Sequence, residues 1–127
     1  MYGTPQDVIN VTGIKPSDLG LDELDNPEQA LTELLGTWLT RISAAINVRL
    51  NAGAVGIKDP NYEGIVDVCV RTVAKLVAIA NQQRTSSIVQ IGEFAVNILN
   101  TSQVTKDLET ELKPYQKRPV MFFSSNK

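Results

Sequence analysis

Few side chains in this chain of 127 residues have the chemistry of a nucleophile or a metal ligand. Histidine is absent and Cys69 is the single cysteine. The lack of histidine excludes Ser-His-Asp and Cys-His catalysis and histidine-containing zinc sites, because each of them uses an imidazole as base or ligand. Cys69 lies in the apolar stretch IVDVCVRTVAKLVAIA, where we expect a buried structural thiol and not a nucleophile.

A cluster of carboxylates, Asp22, Glu23 and Asp25, is the other group with ligand chemistry. It lacks the ordered donor spacing and the bidentate glutamate of an EF-hand loop, so we expect a solvated acidic surface. The segment DLGLDELD around it is similar to the part of acyl carrier proteins that bears phosphopantetheine. Glu23 stands where the attachment serine is required, so the arm cannot be attached. The sequence therefore predicts no catalytic residue, no metal site and no cofactor.

The C-terminal segment KRPVMFFSSNK places apolar residues beyond two prolines, Pro114 and Pro119, which disfavour a helix that would carry them into a core. Such a segment needs an apolar pocket. A stiff proline, β-favouring residues and aromatic rings are the elements of peptide capture by strand addition or groove insertion. We therefore predict a partner-binding tail consisting of Pro119, Val120, Met121, Phe122 and Phe123. A groove on the same monomer is the alternative binding place for this tail.

Charge is distributed unevenly along the chain, whose net charge is −2. Residues 1–36 carry seven acids and one base, whereas the remainder carries seven acids and eleven bases. The bases are scattered, which argues against a domain that grips nucleic acid by several neighbouring phosphates. Ordinary solvated surface is the simpler interpretation of both halves, and complementary edges between subunits are the alternative.

The length of the chain suits one domain with a single modest core. No apolar run has the length that spans a bilayer, and the first residues, MYGTPQDVIN, lack the basic start and apolar stretch of a secretory signal. We therefore expect a cytosolic product.

Capping residues followed by proline mark three helix starts, at Thr4-Pro5, Asn26-Pro27 and Asp59-Pro60. The first start predicts a short helix that ends at Gly13. The second opens an apolar pattern of three- and four-residue spacing, which predicts a long amphipathic helix broken near the segment NAGAVG.

The third start opens an apolar stripe that is wider than one helix face. The central line of the stripe is Tyr62, Val66, Cys69, Val73, Leu76 and Ala80, and it is widened by Ile65, Val68, Val70, Val77 and Ile79. We expect such a helix to be central, or to pack against its own core on one side and a neighbouring subunit on the other. Its end is predicted near Arg84.

The apolar period changes from 3.6 to 2 in the segment SIVQIGEFAVNIL, which predicts a β-hairpin over about residues 87–98 with its turn at Gly92 and Glu93. An isolated hairpin is marginal in water, so we expect it to lie on the helices or on another molecule. The candidate subunit or partner contact consists of Ile88, Gln90, Gly92 and Glu93. A last short helix is predicted in SQVTKDLETELKPY, stopped by Pro114.

These elements predict a mainly α protein, a small helical bundle. It has two long antiparallel helices, two short helices, one hairpin and an extended C-terminal tail. A single domain is expected over residues 1–113, with the tail over residues 114–127.

In this order of elements the chain resembles the head-tail connector proteins of tailed double-stranded DNA phages and prophages, also called adaptor or head-completion proteins. The resemblance spans nearly the whole chain, and no single motif is diagnostic. Besides the two-helix middle, it is carried by YGTPQDVINVTGIKPSDLGL, AIANQQRTSSIVQIGEFAVNI and LETELKPYQKR.

The resemblance implies a structural virion protein and no enzyme. About twelve copies would form a homo-oligomeric ring below the portal vertex. The ring would extend the channel through which double-stranded DNA passes without sequence-specific binding. It would also offer a platform to the head-closure or tail-completion protein. The C-terminal segment, with Val120 to Phe123 as its anchor, would reach the portal protein. The protein would be in the host cytoplasm before assembly and in the virion neck afterwards, with no membrane partner.

Two other functions stay open at this point. One is a small prophage-encoded DNA-binding regulator, although residues 65–80 are mostly apolar and offer few groups to bases. The other is a free-standing interaction module that uses its tail on some other apolar groove. Salt-sensitive binding to duplex DNA would distinguish the regulator from the connector.

Overall fold

The structure is a computed structural model, and it describes residues 1–50, 55–82 and 103–116. Within these ranges the chain forms four α-helices and two short 3₁₀ turns, and no strand. The helices are α1 (Pro5–Thr12), α2 (Pro27–Leu50), α3 (Tyr62–Gln82) and α4 (Gln103–Leu112). The 3₁₀ turns are Pro16–Leu19 and Lys113–Tyr115. The prediction of a mainly α protein is confirmed. The predicted hairpin, residues 87–98, lies outside the described residues.

Helix α1 has the predicted caps at both ends. The Thr4 hydroxyl accepts a hydrogen bond from the backbone N–H of Asp7 at 3.2 Å, and the Asp7 carboxylate accepts one from the N–H of Thr4 at 2.9 Å. This reciprocal pair satisfies two backbone donors that a helix start leaves free. Gly13 ends the helix with φ 68°, a left-handed conformation that glycine adopts without strain.

Helix α2 begins at the predicted proline and ends at Leu50, where the break near NAGAVG is predicted. Helix α3 begins two residues later than its Asp59-Pro60 signal indicates, at Tyr62. The reason is a turn, in which the Asp59 carboxylate accepts from the N–H of Asn61 at 2.8 Å and the Asp59 carbonyl accepts from Tyr62. The predicted end near Arg84 lies outside the described residues, in which α3 extends to Gln82.

Helix α3 is the centre of the described fold, since α1, α2 and α4 all pack against it. Its buried apolar positions are Ile65, Val68, Cys69, Val70, Val73, Leu76, Val77 and Ala80. The wide apolar stripe is therefore largely covered by helices of the same chain, as the central placement requires. This coverage leaves little of the stripe for a neighbouring subunit. Among the stripe residues, only Tyr62, Val66 and Ile79 are partly exposed.

Helix α4, the last short helix predicted from the sequence, lies on α3 with the apolar residues Val104, Leu108 and Leu112 buried. Arg71 pairs with Glu111, and Lys75, one turn further along α3, pairs with Asp107, one turn earlier in α4. These two helices therefore run in opposite directions. In the part of the chain that the structure describes, no helix combines the length and the apolar character needed to cross a membrane.

Candidate functional site

The two binding segments predicted from the sequence lie outside the described residues. They are the tail, Pro119 to Phe123, and the hairpin contact, Ile88, Gln90, Gly92 and Glu93. What the structure describes is the helical body, whose surface has a groove with mixed apolar and acidic lining.

The groove lies between α1 and α3 and has a volume of about 600 Å³. Helix α1 contributes Asp7, Asn10 and Val11, and α3 contributes Tyr62, Glu63, Val66, Asp67 and Val70. We call this surface the α1–α3 groove. Its volume falls within the range of about 300 to 1,000 Å³ that is typical of ligand sites in proteins.

The apolar part of the α1–α3 groove is accessible to solvent at its edge. Val11 is 61% exposed, although it is apolar, and Tyr62 and Val66 are partly exposed. Val70 forms the buried part of the lining. An exposed valine next to other partly exposed apolar side chains forms a surface that a partner can cover.

Three carboxylates line the same groove, and they differ in their hydrogen-bond partners and exposure. Asp7 is fixed by its hydrogen bond from the N–H of Thr4. Asp67 accepts a hydrogen bond from Arg71 at 2.8 Å, so its charge is partly compensated. Glu63 is exposed in the first turn of α3. The lining is therefore negative as well as apolar.

Tyr2 fixes the position of α1 and hence of the groove. Its backbone N–H donates to the Ser43 hydroxyl at 2.8 Å, and its own hydroxyl donates to the Asn47 side-chain oxygen at 2.5 Å. The same hydroxyl accepts from the backbone N–H of Val55 at 2.8 Å. The Tyr2 ring also meets the ring of Tyr62 edge to face, with centroids 6.1 Å apart. One side chain thus joins the start of the chain to α2, to α3 and to the segment between them.

Gly3 permits the close approach of this anchored segment to α3. It has φ 85°, and a Cβ built on it would lie 2.6 Å from Cγ2 of Val70. Both the backbone conformation and the lack of space require glycine at this position. Gly3 therefore determines how near α1 lies to the α3 side of the groove.

The C-terminal end of the described chain lies against the start of α3. A Cβ on Gly64 would overlap the hydroxyl of Tyr115 and lie 2.8 Å from its Cζ atom. The side-chain amide of Gln116 donates to the carbonyl of Arg49, at the end of α2. The chain therefore leaves the described body close to Glu63, the sequence neighbour of Gly64 and a member of the groove lining.

A network of ion pairs holds α4 on α3. Arg71 contacts Asp67 of its own helix and Glu111 of α4, and hydrogen bonds to these two carboxylates raise the pKa of Arg71. Lys75 lies 3.6 Å from Asp107 and 3.8 Å from Glu111. Because these groups are partly exposed, each pair contributes little to stability, and the network mainly sets the register of the two helices.

Cys69 is buried between α2 and α3, as the sequence predicts for a structural thiol. Its Sγ atom lies 3.6 Å from the Ser43 hydroxyl and 3.8 Å from the Leu39 carbonyl. Burial raises the pKa of this thiol to about 11, so it is protonated at neutral pH. A buried, protonated thiol is a poor nucleophile.

The acidic cluster at Asp22, Glu23 and Asp25 is exposed to solvent. Over the described ranges, no group of three or more acidic or cysteine side chains is arranged to hold a metal ion. Leu19 and Leu21, which precede the acidic cluster in sequence, are fully buried. The segment thus attaches itself to the core through leucines and presents its acids to water.

Sequence reasoning does not identify the α1–α3 groove, because each of its residues has a local explanation. Asp7 is a helix cap, and Tyr62 and Val66 belong to a core stripe. The groove arises from the packing of α1 on the first half of α3, and no local pattern encodes that contact. The available signal was the excess width of the α3 stripe, because α2 and α4 do not cover all of it and Tyr62 and Val66 remain partly exposed.

Comparisons of this chain with protein-family models, with curated proteins and with solved structures found no match.

Proposed function

We propose that this chain is a head-tail connector of a tailed double-stranded DNA phage or prophage, a structural virion protein without enzymatic activity. The observation that supports it best is the agreement between the helices and the segments that carry the resemblance. The segment YGTPQDVINVTGIKPSDLGL corresponds to the anchored Tyr2, α1 and the first 3₁₀ turn. The segment LETELKPYQKR begins in α4 and continues into the second 3₁₀ turn.

The proposal includes two features of the fold that go beyond a mainly helical class. The two long helices, α2 and α3, are antiparallel neighbours. A β-hairpin over about residues 87–98 follows them and lies on the helices or on an adjacent molecule, with Ile88, Gln90, Gly92 and Glu93 as its contact residues.

In this function about twelve copies form a ring below the portal vertex. Since most of the α3 stripe is covered within the subunit, the apolar contacts between subunits come from other surfaces. The described residues that suit them best are Val48, in the last turn of α2, and Ile57, in the segment before α3, which are 76% and 77% exposed. Exposed apolar side chains of this kind are common where subunits meet.

The charges of the helical body suit a conduit for DNA. Arg49, Arg71 and Lys75 each lie within ion-pair distance of a carboxylate of α4. Cations that are compensated in this way contribute less to phosphate binding than a concentrated basic stripe would. A wall without such a stripe lets DNA pass without holding it. The ring would bind the portal protein on one side and the head-closure or tail-completion protein on the other.

Co-sedimentation with the portal protein of the same genome tests the proposal. The full chain is compared with a chain truncated after Arg118, and with the full-length double variant Phe122→Ala and Phe123→Ala. The double variant Ser124→Ala and Ser125→Ala is the matched control, because it changes the same tail without removing an apolar anchor.

We expect the full chain and the serine variant to join the portal in one fixed stoichiometry, and the other two proteins to remain in the supernatant. If none of the four proteins binds, the connector function is wrong. Binding to duplex DNA across a range of salt concentrations then tests the regulator, for which affinity falls steeply as salt rises.

A further inference from the structure

The α1–α3 groove has a lining that is both apolar and acidic. Its apolar lining includes Val11 at 61% exposure, together with Val66. Its acidic lining includes Glu63, which is exposed, and Asp67. A ligand that fits both properties must be apolar along part of its length and positively charged nearby.

Residues 117–123 of this chain have that chemistry. Lys117 and Arg118 are adjacent cations, and the next residues are proline, valine, methionine and two phenylalanines. Cations would meet the carboxylates of the groove, while apolar side chains would cover its valines. In the described parts of the chain, no exposed segment has two adjacent cations followed by an apolar run.

The tether between this segment and the groove is short. Tyr115 packs on Gly64, which is adjacent in sequence to the groove residue Glu63. Helix α3 rises about 12 Å from Tyr62 to Val70, at 1.5 Å per residue. Seven residues in an extended conformation reach at most about 25 Å. The segment is therefore long enough to follow the whole length of the groove from where the described chain ends.

We propose that the α1–α3 groove binds residues 117–123 of the same chain in the free subunit. Phe122 and Phe123 insert against Val11 and Val66, and Lys117 and Arg118 lie near the groove carboxylates. The tail is thereby shielded until a better apolar site competes for it. This inference goes beyond the connector function and does not depend on it, since it concerns the isolated subunit and its test contains no portal protein.

Thiol labelling of a cysteine placed in the groove tests the proposal on the full-length protein. The variant Val11→Cys puts a reactive thiol on an exposed site of the lining. The native Cys69 is buried and contributes little background. The labelling rate with a maleimide is measured by mass spectrometry in two full-length proteins, one with the native tail and one that also carries Phe122→Ala and Phe123→Ala.

We expect slower labelling with the native tail, by about tenfold if the docked state is favoured ten to one. Val48→Cys, at an exposed site that does not line the groove, is the control, and its labelling rate should be the same with both tails. Asn10→Cys, also in the lining and exposed, gives a second reporter if the first variant folds poorly.

Charge provides an independent arm of the experiment. Glu63→Lys, in the Val11→Cys protein, should reduce the ratio of labelling rates between the two tails toward one. Glu28→Lys is a matched control, because Glu28 holds the same position in the first turn of α2 that Glu63 holds in α3. Taking the ratio between tails cancels the direct effect of the new lysine on the reactivity of the thiol.

Equal labelling rates for the native and the substituted tail at both groove cysteines would overturn the proposal. Protection that disappears on dilution would also overturn it, because the groove would then be filled by the tail of a second copy. Protection that is independent of protein concentration and sensitive to Glu63→Lys supports docking within one chain.

Discussion

Tyr115 packs so closely on Gly64 that any side chain at position 64 would overlap its ring. The two residues lie in different helical elements, the second 3₁₀ turn and the first turn of α3. Their contact fixes where the chain leaves the helical body. A glycine inside a helix normally weakens it, so its use here is explained by the ring that occupies the space of the missing Cβ.

Gly64→Ala therefore should not give the stability gain that alanine usually brings to a helix. Gly36→Ala, within α2, is the control, because its Cβ would meet only Pro5 at an ordinary 3.9 Å. We expect Gly36→Ala to raise the free energy of unfolding by about 0.5 to 1 kcal/mol. Gly64→Ala should raise it less or lower it, as measured by denaturant unfolding. Adding Tyr115→Ala should restore the gain at position 64, and no such recovery would contradict the contact.

Tyr2→Phe should destabilise the protein through the loss of a single hydroxyl. That hydroxyl bonds to Asn47 and to the backbone N–H of Val55, so its removal leaves two polar groups without this partner. We expect a loss of about 1 to 3 kcal/mol in the free energy of unfolding. Tyr62→Phe is the control, since the Tyr62 hydroxyl has no bonding partner within the described ranges. A similar loss of unfolding free energy for both variants would mean that the hydrogen bonds of the Tyr2 hydroxyl do not stabilise the fold.

Leu76→Ala should cost roughly 2 to 5 kcal/mol, the usual range for a truncated buried leucine. Leu76 is 1% exposed on the central helix. Val48→Ala removes apolar atoms from a side chain that is 76% exposed, and its effect should be close to zero. Thermal or denaturant unfolding of the two variants checks the difference. A small effect for Leu76→Ala would place this residue at the surface instead of the core.

The stability of the protein should fall at high pH partly because of Cys69. Burial raises the pKa of this thiol from 9.0 to about 11. The unfolded chain therefore loses the proton first, and the contribution of Cys69 to folding is complete below pH 9 and declines as pH rises to about 11. Other groups titrate in the same interval, so the useful quantity is the difference between the native protein and Cys69→Ala. We expect this difference in unfolding free energy to decrease by about 2 kcal/mol between pH 8 and 11. A constant difference would contradict the raised pKa.

Local signals in the sequence predicted the helices well. The cap of Thr4 and Asp7, the start at Pro27 and the end of α4 before Pro114 each depend on two to four adjacent residues. Helix α3 shows the limit of such signals, because Asp59 forms a turn that delays the helix start to Tyr62. The hairpin and the apolar tail lie outside the described residues, so both stay predictions.

The contacts that build the candidate site were not predictable in the same way. Tyr2 belongs to no motif or apolar pattern, and nothing near it in sequence shows that it bonds to α2 and to Val55. Tyr115 follows a proline and reads as the start of a tail, yet it packs on Gly64. Both contacts join residues that are far apart in the chain, and their partners are defined only when the helices have packed.

The anchoring of Tyr2 also bears on how the chain folds during its synthesis. Its three hydrogen bonds join positions separated by 41, 45 and 53 residues. Helix α1 has only eight residues, and a helix of that length is marginal in water until it packs on other elements. It has no place to dock until α2 and the start of α3 have emerged. Tyr2 and α1 therefore wait until Val55 has been synthesised, and a slow codon or a pause before Val55 would prolong the time during which the apolar face of α1 is uncovered.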